Sequence, residues 1–357
     1  MRFQLVWLGI LCAAAASSQP APKGPALEGF DPVLLTEGRD VDGKESLTVQ
    51  RGRFLYRFAS EETRDRFNKD PERYAIQLDG ACARMGPPVG GDPNAYFVYN
   101  GRIYILGSSE CYKHFKADAA KYLESEQNKT PWNPSAEERA KGKALLAKAL
   151  QSMGGTQRFA GIQSYVETHL VPGPRGVQKE ARFAVLPASF GVENSFNENS
   201  FSTLALPQGG FRVFRGEGQR IPDSFAESFR NDRRHDLLAI LVGSADKDFD
   251  ARYMGRVDGS DRIAVRLRGV VTTLQLDPAT AQVQSVAYRG RGPNGDFGDL
   301  RIAFSDYRET GGLRLPFRGE VTFGGAPYEN RSWTVESYQF NSQEIAGRLQ
   351  PPAKVRE

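Results

Sequence analysis

The 357-residue sequence contains few of the residues that build metal and redox centres. It has three cysteines and three histidines, so a multi-ligand metal site has few side chains to draw on. The 47 basic and 43 acidic residues leave a net charge of +4, which is too weak a balance to require nucleic acid or a membrane as partner. Hydrophobic residues make up 39% of the chain, an ordinary share that speaks against collagen, a small disulfide scaffold or disorder throughout.

Sequence signatures of catalysis are also missing. There is no G-x-S-x-G, H-E-x-x-H or Walker pattern. Residues 290–295 match G-x-G-x-x-G, but Pro293 interrupts them and a strand follows, whereas a dinucleotide site needs a helix there. They therefore predict a hairpin loop. No catalytic residue is predicted and we expect no enzyme; a hydrolase triad assembled in space around His169 or His235 is the third hypothesis for the function.

The N-terminus carries the one long apolar run of the chain. Arg2 precedes a run over residues 3–16, and small residues follow it up to Ser18. The run is shorter than the roughly 20 residues that span a bilayer. A cationic start, an apolar core and small residues are typical of a secretory signal peptide. We therefore predict a signal peptide over 1–18 and a periplasmic or secreted protein, in an oxidising compartment.

The first third of the chain contains an internal repeat. In each copy an alternating strand, over 53–58 or 101–106, precedes a serine that is typical of a helix N-cap. At one constant spacing, Tyr56, Ser60, Glu62, Phe67, Asp70 and Tyr74 recur as Tyr104, Ser108, Glu110, Phe115, Asp118 and Tyr122. Phe67 and Tyr74 are expected on one face of a helix. The sequence thus predicts two strand–helix units that share a core.

These residues resemble the YHS domain family over about residues 28–125. The resemblance is carried by G-F-D-P-V at 29–33, Y-R-F-A-S at 56–60, D-P-E-R-Y at 70–74 and G-A-C-A at 80–83. Members of that family often bind transition metals through a C-S-x-x-C pattern after the strand. In this chain those two positions hold Ala59 and Thr63 in the first copy, and Gly107 and Cys111 in the second. The resemblance implies a transition-metal contact for this domain, and as a separate hypothesis we expect the domain to contact a protein partner.

Cys82, Cys111 and His114 are the candidate site residues of this region. Cys111 and His114 are three residues apart and would share a helix face, so with Cys82 they would suit Cu(I) or Zn(II). Alternatively, Cys82 and Cys111 form a disulfide that closes a loop of about 29 residues. Such a bond would stabilise the folded state by roughly 3–4 kcal/mol. A third possibility is two separate buried thiols. The sequence leaves all three open.

A polar segment with two prolines marks a boundary at residues 127–134. Ser135 and Glu138 form a capping-box pattern, which predicts a helix from 135 to about Met153 that stops at Gly154. This helix is predicted to begin the second domain.

Beyond Gly155 the hydrophobic pattern changes to period two, which is typical of antiparallel strands. One helix is predicted among them, from Asn231 to Val242. A turn is predicted at the D-P-A-T segment 277–280. The predicted strands cover 178–185, 210–214, 262–267, 270–276, 283–288, 300–304, 317–323 and 332–340.

Over about 145–343 this half resembles the periplasmic lipoprotein-sorting carriers of the Lol type. The features that carry the resemblance are M-G-G at 153–155, R-V-D-G at 256–259, L-D-P-A-T at 276–280 and F-S-D-Y-R at 304–308 followed by G-L-R-L-P at 312–316. The resemblance implies a half-open barrel that holds acyl chains under a helical lid, and a binding function without catalysis.

Together these observations predict an α+β protein with a small duplicated strand–helix domain and a C-terminal antiparallel half-barrel with one or two packed helices. The predicted segments are a signal peptide (1–18), a tandem YHS-like domain (26–126), a linker (127–134), a carrier-like β domain (135–345) and a tail (346–357). The expected function is binding of a lipid, acyl chain or lipoprotein, with a periplasmic protein as a further partner and no nucleic acid. The alternative is handling of copper or zinc; otherwise no cofactor is expected.

Overall fold

The computed structural model describes residues 24–87, 89–123, 132–173, 176–196, 199–328 and 331–356. The described residues form two compact units. The first comprises residues 24–82 and 89–112, and the second comprises 83–87 and the described residues from 113 onward. The predicted signal peptide lies outside the described residues, as does most of the predicted linker. In the described part of the chain no helix is long and apolar enough to cross a membrane.

The chain up to Leu123 contains two β-hairpins and five short helices. Two 3₁₀ turns, Leu27–Gly29 and Leu78–Gly80, stand before the first helix and before the second hairpin. The other elements are α1 (Pro32–Thr36), β1 (Lys44–Arg51), β2 (Phe54–Phe58), α2 (Glu61–Lys69), α3 (Pro71–Tyr74), β3 (Asp92–Tyr99), β4 (Arg102–Leu106), α4 (Ser109–Ala117) and α5 (Ala120–Leu123).

Asp31, from the G-F-D-P-V segment, organises the first unit. Its carboxylate caps α1 by accepting hydrogen bonds from the backbone N–H groups of Val33 (2.9 Å) and Leu34 (3.3 Å). It also accepts bonds from the Ala59 N–H (2.8 Å) and the Thr63 hydroxyl (2.5 Å) at the start of α2. Asp31 is fully buried, and four donors satisfy its charge. This part of the YHS-like pattern therefore has a structural role.

The predicted strands of the repeat are confirmed as β2 and β4, and each is followed by a nine-residue helix and a four-residue helix. The expectation that Phe67 and Tyr74 lie on one helix is wrong. α2 ends at Lys69 and α3 begins at Pro71, because proline has no N–H to continue the bonding of α2 and suits a first helical position. Duplication of the whole 26–126 domain stays a prediction.

The remaining chain is mostly antiparallel β-structure. Its helices are α6 (Ala136–Ser152), α7 (Thr156–Ala160), α8 (Asp223–Arg233), α9 (Leu237–Gly243) and α10 (Gln343–Arg348). Its strands are β5 (Ser164–Gly173), β6 (Gly176–Val185), β7 (Ser189–Phe196), β8 (Asn199–Leu206), β9 (Gly209–Phe214), β10 (Glu217–Ile221), β11 (Phe249–Val257), β12 (Ser260–Leu267), β13 (Val270–Leu276), β14 (Val283–Arg291), β15 (Phe297–Thr310), β16 (Leu313–Phe323), β17 (Ala326–Pro327), β18 (Trp333–Phe340) and β19 (Lys354–Arg356).

These strands form one open sheet. Its order is β11-β12-β13-β14-β15-β16-β18-β5-β6-β7-β8-β9-β10-β19, and β17 pairs with β16 outside this path. All pairs are antiparallel except β10 with β19. The large antiparallel sheet with a few helices agrees with the predicted fold class.

Helices cover both faces of the sheet. We call the face that contacts α6, α7, α8 and α9 the inner face. Its core includes Met153, Phe159 and Ile240 from the helices and Tyr165 and Ile263 from the strands. On the outer face, α10 packs Ile345 and Leu349 against alternate residues of β5, β6, β8 and β9. Residues on both sides of β5 and β6 are therefore buried.

The helix prediction for the second unit is partly wrong. The predicted helix from 135 is confirmed as α6, with the Ser135–Glu138 capping box in place. The predicted helix from Asn231 to Val242 is instead two helices, α8 and α9, which are separated at Arg234–Asp236. The expectation of one or two packed helices also falls short of the five helices described from Ala136 onward. The break arises because the Asp236 side chain binds arginines rather than continuing or capping a helix.

Candidate functional site

The structure buries both cysteines of the candidate site, and His114 is exposed. Cys82 is fully buried beside β4, where its backbone forms an isolated parallel β-bridge with Ile105. Cys111 lies in the first turn of α4, and its N–H donates to the Ser108 hydroxyl at 3.1 Å. Among the described residues no three His, Cys, Asp or Glu side chains are grouped to hold a metal ion. The predicted disulfide and the predicted metal set both stay predictions.

A second group of polar residues, which the sequence did not single out, lies buried on the inner face. Glu167 and His169 on β5 face Arg182 and Glu180 on β6 as direct cross-strand partners. Glu167, His169 and Glu180 are each less than 9% exposed. Because the strand alternates and Tyr165 belongs to the inner core, these residues project toward the helices of that face. We call Glu167, His169, Glu180, Arg182, Arg233 and Asp236 the inner charge cluster.

Ion pairs connect the sheet part of this cluster to the helices. The Arg182 guanidinium donates to Glu180 Oε1 at 2.7 Å and to Asp236 Oδ1 at 3.0 Å. Arg233 holds the other oxygen of Asp236 at 3.3 Å. Burial alone would raise the pKa of Glu180, but the charges of Arg182 and Arg233 and the Arg182 hydrogen bond lower that pKa to about 2. Glu180 is therefore ionised, and its charge is compensated inside the protein.

A small cavity lies beside this cluster, between the inner face and α9. Its volume is about 20 Å³, which is room for a single water molecule. Glu167, Arg182 and Asp236 contribute polar groups to its wall. The remaining wall is apolar or aromatic and consists of Leu237, Leu238, Ile302, Phe304, Leu315, Pro316, Trp333 and Tyr338. The wall of the cavity is thus mostly apolar, with a few buried charged side chains.

Two buried polar atoms at this site have no hydrogen-bond partner among the described residues. Trp333 stacks on His169 with ring centroids 4.2 Å apart, and Gly319 leaves the space for its indole, because a Cβ there would lie 2.4 Å from the Trp333 ring. His169 Nε2 lies 3.1 Å from Glu167 Oε2. The Trp333 Nε1–H and His169 Nδ1 are buried and unsatisfied. Buried polar atoms are normally satisfied, so this site suits an additional polar group.

A wider groove of about 510 Å³ lies elsewhere on the second unit, along α6 and the turn 277–281. The predicted D-P-A-T turn is confirmed here between β13 and β14. The Asp277 carboxylate accepts hydrogen bonds from the N–H groups of Ala279 (3.0 Å) and Thr280 (2.8 Å), and the Thr280 bonds lower the Asp277 pKa. Asp277 is thus occupied in holding the turn, and we place the candidate site at the inner cavity.

The two histidines that were considered for a hydrolase are both in the interior. His235, in the break between α8 and α9, bonds Thr272 Oγ1 through Nδ1 at 2.8 Å and stacks on Tyr288 with centroids 3.8 Å apart. Burial, followed by the Arg233 charge, lowers the pKa of His235 to about 3. Burial also lowers the pKa of His169. His169 has a carboxylate but no hydroxyl at Nδ1, so this pair does not extend into a triad.

A fall in pH should destabilise the folded protein because His235 takes up a proton more readily in the unfolded state. The folded state has a pKa of about 3 at this residue, whereas the unfolded chain titrates near 6.5, so between these values the unfolded state binds the extra proton. Stability is therefore lost as the pH falls below about 6.5, by about 2 kcal/mol at pH 5 from this residue alone. Denaturant unfolding of the wild type and of His235→Phe at pH 7.5 and pH 5 measures this difference.

The loss of stability between the two pH values should be smaller in His235→Phe. An equal loss in the wild type and His235→Phe would show that His235 does not carry the effect.

Comparison with known proteins gives distant structural likenesses. No protein-family model and no curated protein matches the chain, so the YHS resemblance is not supported. Among solved structures, the chain is similar to an outer membrane lipoprotein-sorting protein domain from Vibrio parahaemolyticus, with 8% identity and a TM-score of 0.35 over 59% of this chain and 98% of that one.

A LolA-superfamily protein from Nitrosomonas europaea is similar at the same level, with 8% identity and a TM-score of 0.35 over 56% of this chain and 94% of that one. At this TM-score the likenesses carry no argument for a family or a function, which has to rest on the geometry of the chain's own site.

Proposed function

We propose that this chain is an exported, non-catalytic binding protein that holds an amphiphilic ligand, an acyl chain with a polar head, between the inner face and α9. The observation that carries the proposal is the inner cavity. Its apolar wall suits a hydrocarbon chain. The same cavity is lined by Glu167, Arg182 and Asp236 of the inner charge cluster and by Trp333, whose buried N–H has no hydrogen-bond partner among the described residues. A ligand with an acceptor atom at its head would satisfy that donor.

Ligand entry requires α8 and α9 to move away from the sheet. The present cavity of about 20 Å³ holds a water molecule and not an acyl chain. The Arg182–Asp236 ion pair connects this part of the chain to β6, and Arg182 also pairs with Glu180 along β6. We propose that the break at Arg234–Asp236 is where the helices pivot, and that the Arg182–Asp236 contact opens as the chain of the ligand replaces the α9 side chains against the sheet.

A larger side chain in the cavity should weaken binding. Phe304 lines the cavity 6.2 Å from Trp333, measured between ring centroids, so Phe304→Trp should fill the space the ligand chain needs. We expect the affinity for a dansyl-labelled fatty acid to fall by about tenfold or more. Fluorescence titration of the intact protein measures the affinity.

Phe201→Trp is the matched control, because Phe201 is 51% exposed on β8 and does not line the cavity. It should bind as the wild type does. Equal affinity of all three proteins would place the ligand elsewhere, and no saturable binding by the wild type would contradict the proposed function itself.

The other predicted functions have no comparable site among the described residues. Metal handling lacks a grouped ligand set, and the buried His169–Glu167 pair gives the hydrolase hypothesis no nucleophile. The predicted protein partner of the YHS-like domain stays a prediction, since no feature of the first unit indicates its chemistry.

A further inference from the structure

Backbone hydrogen bonds of the first unit place Cys82, in the second copy of the sequence repeat, at the position that Asp31 occupies in the first copy. Both residues follow a 3₁₀ turn whose residues all have positive φ, Leu27–Gly29 or Leu78–Gly80. The Asp31 N–H donates to the Val41 carbonyl at 2.8 Å, and the Cys82 N–H donates to the Val89 carbonyl at 2.7 Å.

The glycines of these turns are equivalent too. Gly43 donates to the Gly29 carbonyl at 2.8 Å, and Gly91 donates to the Gly80 carbonyl at 2.9 Å. The two segments therefore run through the same path, and Cys82 and Asp31 occupy one position of it.

Cys111 takes the place of Thr63 by the same reasoning. Thr63 is the third residue of α2, and its N–H donates to the capping Ser60 hydroxyl at 3.2 Å. Cys111 is the third residue of α4, and its N–H donates to the Ser108 hydroxyl at 3.1 Å. Each helix follows its strand, β2 or β4, after two residues.

In the first copy the equivalent side chains are in contact. Asp31 Oδ2 accepts hydrogen bonds from the Thr63 hydroxyl (2.5 Å) and from the Ala59 N–H (2.8 Å). In the second copy Gly107 has the place of Ala59, and a Cβ built on it would lie 3.6 Å from Cys82 Sγ. Cys82 thus reaches toward the start of α4 as Asp31 reaches toward the start of α2.

We propose that Cys82 and Cys111 face each other as a redox-active dithiol, in which a reversible disulfide stands where the first copy has its Asp31–Thr63 hydrogen bond. The proposal concerns the first unit and does not depend on the ligand of the second.

The oxidant would be a small disulfide such as glutathione disulfide. The thiolate of Cys111, which is 8% exposed against 0% for Cys82, attacks one of its sulfurs, forms a mixed disulfide and releases one thiol. The Cys82 thiolate then displaces the second thiol and forms the Cys82–Cys111 bond. The protein loses two electrons and two protons, and the oxidant becomes two thiols. The new bond closes a loop of about 29 residues, which should stabilise the unit.

The test uses the full chain carrying Cys12→Ser, so that Cys82 and Cys111 are the two cysteines left. After treatment with glutathione disulfide we expect a denatured mass about 2 Da below that of the dithiothreitol-reduced protein, no alkylation, and a Tm higher by about 5 °C or more. Cys82→Ser and Cys111→Ser should each lose the redox dependence of Tm.

The double variant Cys82→Asp with Cys111→Thr copies the first pair and tests the contact without a disulfide. It should be more stable than Cys82→Asp alone, and its Tm should not respond to the redox agents. Two thiols that alkylate after oxidation, with one Tm in both states, would overturn the proposal. Retention of copper or zinc by both thiols in a native mass spectrum would also overturn it, in favour of a metal site. Because mass and alkylation are measured on the two-cysteine protein, the test remains decisive if a single variant fails to fold.

Discussion

Replacing Arg182 by methionine should lower the free energy of unfolding by about 3–5 kcal/mol. The Arg182 guanidinium binds Glu180 and Asp236, whose side chains are each 11% exposed. Methionine keeps much of the length of the side chain but leaves both carboxylates without this partner, and a buried charge that loses its counterion is strongly destabilising. Urea denaturation at pH 7.5 measures the loss.

Arg318→Met is the matched control for this variant. Arg318 pairs with Glu320, two residues along β16, just as Arg182 pairs with Glu180 along β6, but the side chains are 57% and 58% exposed. This control substitution should lower the free energy of unfolding by less than about 1 kcal/mol. If the two arginine variants lose similar stability, the inner charge cluster is not buried in the way described here.

Replacing Asp31 by alanine should destabilise the protein by about 2–4 kcal/mol. The change leaves the N–H groups of Val33, Leu34 and Ala59 and the hydroxyl of Thr63 without the acceptor they share. Because Asp31 is fully buried, water cannot replace the carboxylate at low cost. Thermal and urea unfolding, followed by circular dichroism, measure the effect.

Asp118→Ala provides the comparison for an aspartate that caps a helix at the surface. Its carboxylate accepts one hydrogen bond from the Lys121 N–H at 3.3 Å, and both residues are exposed. This substitution should lower the free energy of unfolding by about 0.5–1 kcal/mol. An Asp31→Ala variant no less stable than Asp118→Ala would contradict the role assigned to Asp31 in joining α1 to α2.

Local signals in the sequence predicted the parts of the fold that depend on neighbouring residues. The capping box at Ser135 predicted the start of α6, and alternation predicted β13 in full. The D-P-A-T turn was also predicted, because Asp277 closes it through bonds within its own segment. In each case the interaction that fixes the structure joins residues close in the chain.

The candidate site could not be predicted in the same way. In β6, Glu180 and Arg182 alternate with Ala181 and Phe183, which is the pattern of a strand with one face in solvent. α10 covers the Ala181 side instead, and α8 and α9 cover the other, so the charges are buried. Asp236 joins Arg182 across 54 positions of sequence, and this long-range pair also ends the single helix that the apolar run of 237–242 predicted.

The central claim is that an acyl chain binds between the inner face and α9, beside Trp333. In a chain carrying Trp7→Phe and Trp132→Phe, Trp333 is the remaining tryptophan, and a fatty acid with a spin label on its chain quenches indole fluorescence only at close range. We predict saturable quenching of most of the Trp333 emission, absent with the unlabelled fatty acid and reversed when that acid is added in excess. Emission that does not change, or that falls in proportion to the labelled acid without saturation, would contradict the account.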